Sequence, residues 1–436
     1  MSSETTGSTT PAVLRHDFDD GTRLDITLAG QSYPVFLIDK PADILAHIIA
    51  ERAQGRSVAL ICDTNTAELF GLAIEADFIK AGLTVVALTV PAGESSKSWE
   101  VAGQLVSVLS TSEIERSDQI VALGGGMISD LAGFVATVYE RGLDFYIIPT
   151  TLLSLVDAAI GGKVAVNRDE AKNLAGAFKQ PQAIAADLRV LAQLPDVEYR
   201  SGLAELAKTA LLSGEDFLSY LEEHTGELLA RDPSVLREAV VRAMSFKADI
   251  VARDPYDQGL RACLNYGHTI GHALEQASGY EMAHGLAVAE GMRFAARLSV
   301  QLYGASADFV RRQDALLDAL GLDALDVHDY DMADLVATMR RDKKNGAGEI
   351  RFVLVREPGV VGTAPVETEI LYAHLRPWLG IQEEEPEPDP AEAPSQGSAS
   401  QTTPTPAPAQ DPAEAPSPGS ASQTTPTPAP AQDKES

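Results

Sequence analysis

The stretch 121-VALGGGMISDLAGFVATVYERG-142 decides how the first half of the chain folds. An apolar run suited to a strand enters three consecutive glycines and leaves as a helix-period pattern. Glycines at such a turn let the backbone approach a diphosphate closely. The start of the following helix offers free N–H groups and the positive end of its dipole. A tight connection with no ligand is the competing reading. The stretch is not G-x-G-x-x-G, so the standard dinucleotide fingerprint is absent.

Around this unit the alternation repeats. SVALICD (57–63), TVVALTV (84–90), QIVALGGG (119–126) and DFYIIPTT (144–151) read as strands. AELFGLAIEADFIKAG and SWEVAGQLVSVLS lie between them and suit helices. Strand–helix alternation predicts a mostly parallel sheet covered on both faces. From about Asp187 the pattern changes. EYRSGLAELAKTALLSGEDFLSYLEEH, SVLREAVVRAMSFKADIVARD and GLAVAEGMRFAARLSVQLYG are long and helical in period. The chain therefore reads as an α/β nucleotide-binding domain over 15–186 followed by a mostly α-helical domain over 187–382, as 436 residues suggest two domains.

The ends differ from this body. Residues 1–14 are expected to be loose. In the tail, DPAEAPSQGSASQTTPTPAPAQ (389–410) recurs at 411–432 with Pro418 in place of Gln396. This Pro-, Ala-, Ser- and Thr-rich composition buries too little surface to offset chain entropy, so 383–436 is expected to be disordered. The net charge is −29, which argues against a nucleic-acid partner. Ten acidic residues and one Lys from Glu383 onward leave −20 on the rest, and an acidic surface does not forbid a local basic pocket. Two cysteines, Cys62 and Cys263, cannot build a disulfide framework or a Cys-rich zinc site. MSSETTGSTTPAV lacks the marks of a signal peptide, and no apolar run nears the ~18 residues of a membrane span. The expectation is a cytoplasmic protein with no membrane partner.

Residues with chemistry cluster at the predicted strand ends. CDTN puts Asp63 and Asn65 just after a strand, where such sheets hold ligands and an Asp accepts from a ribose. PAGESSKS puts Glu94 and Lys97 after the next, near an adenosine hydroxyl and the phosphates. IPTTLLSLVDAAIGGKVAVNRDEAKNLAGAF (148–178) carries Lys163, Lys172 and Asn173 in a largely uncharged setting, which suggests anion recognition. In GLAELAKTA, Glu205 and Lys208 share a helix face, as an intrahelical ion pair or as site residues. SFKADIVARD adds Lys247. LRACLNYGHTIGHALE adds Arg261, Asn265, His268 and His272, and the last three can share a helix face. A His pair at i, i+4 is a standard metal geometry, or else a packed pair. The Glu of H-E-x-x-H is missing, so a peptidase reading is poor. Three protein ligands and an open position would suit catalysis, with Glu205 a possible carboxylate ligand.

These motifs, in this order, resemble the 3-dehydroquinate synthase family of the sugar phosphate cyclases. GGGMISDLAGFVA, PTTLL, VDAAIGGKVAVN, KNLAGAF, GLAELAK, LNYGHTIGHALE, HG-AV and DKKN carry the resemblance over roughly 30–365. It implies that NAD contacts Asp63, Asn65, Glu94, Lys97, Gly125, Gly126, Met127, Asp130, Thr150, Thr151, Leu153, Asp157, Lys163 and Lys172. It implies zinc or cobalt on Glu205, His268 and His284, with His272 facing the substrate instead. Lys163, Asn173, Lys208, Lys247, Arg261, Asn265 and the Lys343/Lys344 pair would hold an anionic sugar phosphate. Arg141 would reach the neighbouring subunit's site in a homodimer. One departure is visible: His284 is followed by Gly285 and Leu286 where the family often has Gly-Glu.

The activity so implied converts 3-deoxy-D-arabino-heptulosonate 7-phosphate to 3-dehydroquinate by transient oxidation, phosphate loss, re-reduction and aldol closure. Two relatives of this chemistry compete. An amino-dehydroquinate synthase has nearly the same motifs. A metal-dependent polyol dehydrogenase shares the superfold but does not need Lys163, Lys208, Lys247 and Arg261. A non-enzymatic nucleotide-binding regulator with an interaction tail is the third alternative.

Overall fold

The computed structural model describes residues 12–28, 30–52, 57–168, 171–341 and 349–381. Its main sheet uses β1 (Val13–Phe18), β2 (Gly21–Leu28), β3 (Gln31–Ile38), β4 (Ser57–Asp63), β5 (Thr84–Val90), β6 (Gln119–Gly124), β7 (Asp144–Pro149) and β10 (Ala183–Ala186), with a separate hairpin of β8 (Lys163–Arg168) and β9 (Ala171–Phe178). The order is β1-β2-β3-β10-β7-β6-β4-β5. From β3 to β5 every pairing is parallel, while β1, β2 and β3 form an antiparallel meander on one edge. Val13 and Leu14, in the segment expected to be loose, begin β1 and pair with Ile26 and Asp25. The repeat-bearing tail lies outside the described residues.

Alternation along the central strands serves two cores. On β6, Ile120 and Ala122 join the large core shared with the helical half, while Val121 and Leu123 join a smaller core. That smaller core packs the sheet against α1 (Pro41–Arg52) and, beyond the short α2 (Thr64–Thr66) and a π turn, α3 (Leu72–Lys80). On the other face lie α4 (Trp99–Thr111), capped by Ser98 accepting from Val101 N, and α5 (Gly126–Val138). A strand buried on both faces reads as an unbroken apolar run, which is why 119–123 shows no polar alternation.

The helical half comprises α6 (Asp196–Ser213), α7 (Glu215–Glu223), α8 (Thr225–Leu229), α9 (Pro233–Arg253), α10 (His268–Ala277), α11 (His284–Tyr303), α12 (Ala307–Ala319), α13 (Met332–Arg341) and α14 (Thr368–Trp378), with a hairpin of β11 (Arg351–Glu357) and β12 (Val360–Pro365). Pro233 at the first turn and Asp232, accepting from Ser234 N and Val235 N, start α9. The long pattern over 198–224 is two helices, because Gly214 adopts φ 129° between them. Asn265 does not share a helix face with the histidines. It ends a 3-10 turn (Leu260–Asn265), Gly267 turns left-handed at φ 80°, and α10 starts only at His268.

Close glycine contact fixes α10 against α11. A Cβ on Gly291 would lie 1.9 Å from Gly267 O, and one on Gly285 would lie 2.3 Å from Ser201 Cα on α6. Gly291→Ala should therefore cost at least ~1–3 kcal/mol through overpacking against backbone. Gly103→Ala, in α4 with nothing within 4 Å of the new Cβ, should instead add roughly 0.5–1 kcal/mol. Calorimetric unfolding of both variants checks this; equal midpoints would contradict the crossing argument.

Candidate active site and metal centre

The triple glycine makes a bare floor at one end of a cleft of about 720 Å³. Gly125 caps α5 with no side-chain hydrogen bond. A Cβ on Gly124 would meet Ile128 Cβ at 2.8 Å, on Gly125 Thr151 Cγ2 at 3.0 Å and on Gly126 Ala158 Cβ at 3.1 Å. All three have negative φ, so the run serves close approach and not a left-handed turn. Free N–H groups at a helix start with no side chain in the way suit a diphosphate. The cleft wall includes Asp63, Asn65, Glu94, Lys97, Gly125, Gly126, Met127, Asp130, Thr150, Thr151, Leu153, Asp157 and Lys172. Asp63 Oδ1 also accepts from Thr66 N at 2.9 Å, so this residue caps α2 as well. Glu94 Oε1 accepts from Asn167 Nδ2 at 2.8 Å.

At the other end, the helical half brings together groups far apart in sequence. Glu205 is fully buried on α6, and its Oε1 makes no hydrogen bond. That oxygen lies 3.6 Å from His268 Nε2 and 3.5 Å from His284 Nε2, and the ligand atoms of the three fall within 4.8 Å of one another. His268 stands at the start of α10 and His284 at the start of α11, so the glycine crossing sets their separation. The other ring nitrogens are engaged outward. His268 Nδ1 is 3.1 Å from Tyr266 O, and His284 Nδ1 is 3.4 Å from Glu275 Oε2. Donation from Nδ1–H in both rings turns both Nε2 atoms toward Glu205 Oε1. Two nitrogens and a carboxylate oxygen around a shared point fit a zinc-type ion with an open position. Burial pushes the His284 imidazole down, yet Glu205 and Glu275 outweigh it and raise its pKa to about 10, so the cluster favours positive charge there. A metal ion would take the place of that proton. His272 lies outside this triad. It lines the cleft, with its ring 5.3 Å from that of His268 and 6.3 Å from that of His284.

Cations line the same cleft: Lys163, Lys208, Lys247 and Arg261, together with Asn173 and Asn265. The setting of Lys163 and Lys172 is not uncharged, as their local sequence suggested. Lys163 pairs with Asp257, 94 residues on, and Lys172 donates to Glu275 Oε1 at 3.0 Å, 103 residues on. Lys97 bridges Asp130 and Asn173 at 2.5 Å each. Lys208 pairs with Glu205, and Lys247 with the side chain and carbonyl of Asp157. Burial works against the Asp157 carboxylate, yet Lys247 and Lys208 hold it well below the usual range. Burial in turn pulls Lys247 down despite Asp157. Arg261 differs, because its guanidinium donates to carbonyls, Gly161 O at 3.3 Å and Pro255 O at 3.4 Å.

Arg141 does not line the cleft. It is exposed at a turn where Glu140, Arg141 and Gly142 all take positive φ, of 47°, 65° and 124°. Lys343 and Lys344 lie outside the described residues. Reasoning from sequence missed Glu275 and Asp257. Glu275 carried a usable signal, falling three residues after His272 and seven after His268 on one helix face. Asp257 carried none. Leu286 packs half-buried against the core.

A glycine-floored strand end and a helical Glu–His–His cluster thus meet in one cleft. Among solved structures, a 2-deoxy-scyllo-inosose synthase complexed with carbaglucose-6-phosphate, NAD+ and Co2+ superposes with a TM-score of 0.74 at 24% identity, over 81% of this chain and 99% of that one. ValA, a 2-epi-5-epi-valiolone synthase from Streptomyces hygroscopicus subsp. jinggangensis with NAD+ and Zn2+ bound, gives 0.73 at 24%, over 82% and 99%. An iron-containing alcohol dehydrogenase gives 0.53 at 18%, over 80% and 98%. Sequence narrows the class. The 3-dehydroquinate synthase N-terminal family pattern matches residues 87–201 and the C-terminal pattern residues 202–345. The 3-dehydroquinate synthase of Symbiobacterium thermophilum is 42% identical over 340 residues, 78% of this chain and 95% of that protein. That of Neisseria gonorrhoeae is 40% identical over 362 residues, 82% and 99%. The chain belongs to the 3-dehydroquinate synthase family.

Zinc or cobalt added to chelator-treated protein should raise its thermal midpoint, by the equivalent of about 2.7 kcal/mol at about 100 times Kd. Glu205→Gln should lose this metal-dependent gain. An unchanged response in that variant would place the bound ion elsewhere.

Proposed function

We propose that the cleft converts 3-deoxy-D-arabino-heptulosonate 7-phosphate to 3-dehydroquinate and phosphate, with NAD and a divalent zinc or cobalt ion as cofactors. The observation that carries this is one cleft holding a glycine cradle, a Glu–His–His donor set and a bank of lysines with Arg261. When bound, NAD along the glycine turn supplies a reversible hydride acceptor, and the ion on Glu205, His268 and His284 supplies Lewis acidity to substrate hydroxyls.

The chain's own groups then divide the work. Lys163, Lys208, Lys247, Arg261, Asn173 and Asn265 bind and orient the anionic ends of a substrate carrying about three negative charges. His272, next to the metal ligands, moves the proton at the C5 hydroxyl. Leu153, Ile160, Leu264 and Met282 in the cleft wall keep water from the reacting carbons. Lys343 and Lys344 complete the phosphate grip, and Arg141 acts in the neighbouring subunit of a cytoplasmic homodimer. The exposure of Arg141 on a sharply bent turn supports that last assignment. Among the described residues no helix is long and apolar enough to cross a membrane. A polyol dehydrogenase, the rival reading, would leave the cations without a purpose.

Purified protein given zinc, NAD and the heptulosonate phosphate should release inorganic phosphate with no net NADH; absence of release sinks the proposal. The histidine roles separate in a second measurement. His268→Ala should lose metal by elemental analysis. His272→Ala should retain it and lose about 10²–10⁴-fold in rate. The reverse pattern would exchange the two assignments.

A further inference from the structure

Glu275 is a buried carboxylate that the proposed chemistry leaves without a task. It lies in the last turns of α10 at 4% exposure. Its two oxygens serve two different sites. Oε1 accepts from Lys172 Nζ at 3.0 Å. Lys172 stands on β9 next to Asn173, which accepts from Lys97 Nζ at 2.5 Å beside the glycine turn's Asp130, and its own Nζ lies 4.3 Å from the centre of the Tyr280 ring. Oε2 faces His284 Nδ1 at 3.4 Å, on the ring whose Nε2 points at Glu205. We propose that Glu275 is a positioning residue that couples the nucleotide site to the metal site, because one buried carboxylate is shared between the nucleotide-side Lys172 and the metal-side His284. The inference rests on the cofactor assignments above.

The physical argument runs through competition for one charge. A buried carboxylate is costly to leave unpaired, so when one partner withdraws it leans harder on the other, and both partners here are cations or N–H donors. While Lys172 holds Oε1, part of the negative charge is neutralised and the pull on the His284 Nδ1–H is weaker. A dinucleotide diphosphate that draws Lys172 toward itself returns that charge to His284. A stronger acceptor at Nδ1 makes the imidazole a better donor at Nε2. Nucleotide binding therefore tightens metal binding, and by linkage the metal tightens nucleotide binding to the same degree. No order of loading is imposed: whichever ligand enters first prepares the place of the other.

A purely structural staple between β9 and α10 would hold the fold but would not move a binding ratio. The test is a Co2+ titration of the metal-free, full-length protein, read by the visible absorption of bound cobalt, without and with excess NAD+. Separate calorimetry records NAD+ binding. In the wild-type protein NAD+ should lower the Co2+ Kd at least about 5-fold, the low end of ordinary coupling. Glu275→Gln should bind Co2+ about 10–100-fold more weakly and give the same Kd with and without NAD+. Lys172→Met should keep Co2+ binding at least as tight as wild type and also lose the NAD+ response. Full coupling in Glu275→Gln, or none in a wild type that binds both ligands, overturns the proposal. A wild type that binds neither ligand overturns the cofactor assignments themselves. If Glu275→Gln proves unfolded by circular dichroism, Lys172→Met decides alone at NAD+ concentrations that calorimetry shows to saturate it: Co2+ binding weaker than wild type, or a retained NAD+ response, overturns the proposal.

Discussion

Glu205 places a negative charge where no water reaches, and such a charge persists only among compensating partners. Lys208, one turn along α6, neutralises one oxygen. The other is left to two imidazoles from α10 and α11. This requirement explains otherwise costly features nearby. The two helices meet glycine against backbone so that both histidines arrive at one point, and Ser201 accepts from Gly285 N at 2.8 Å to dock the start of α11 on α6. The starts of α10 and α11 are thus set by this buried charge as well as by the apolar core.

The same logic extends along the cleft. Each described lysine of the site has a carboxylate partner, so the free cleft is close to neutral and not a bare basic pocket. An anionic substrate must compete with Asp257 or Asp157 for its cations. That exchange favours ligands with several well-placed oxygens over small anions, because only they replace the lost pairs with geometry as good. Selectivity then comes from the arrangement of pairs and less from total charge, which fits a cleft on an acidic protein.

The parallel strands were legible to the residue at several ends, since fully buried strands announce themselves as short apolar runs bounded by turns; 57–63 and 84–90 are β4 and β5. The antiparallel meander β1 to β3 and the β8–β9 hairpin were not legible. Their exposed faces mix charge with apolar residues, and β9 carries the Lys and Asn that drew attention as chemistry. Asn265 was misplaced because helical spacing was carried through Gly267, whose left-handed turn resets the phase. Within the site, local motifs named single residues, but Asp257, drawn from distant chain, had no local trace, and Glu275 showed only as a further polar position on the helix of His268 and His272. Spacing raised the metal question without choosing among three histidines, because coordination depends on where α6 passes.

The place of β10 in the sheet order has a consequence for how this chain comes to exist. This four-residue strand sits between β3 and β7, so among the described strands it joins the N-terminal meander to the rest of the parallel sheet. Until Ala183–Ala186 leaves the ribosome, β3 and β7 each present an open apolar edge, and the sheet is two unjoined pieces. Long-range parallel pairing is slow to form and exposed edges invite association with other chains. Synthesis of this protein therefore passes through a window in which nearly half the chain is made but cannot close, and the cell must keep that half apart from its neighbours.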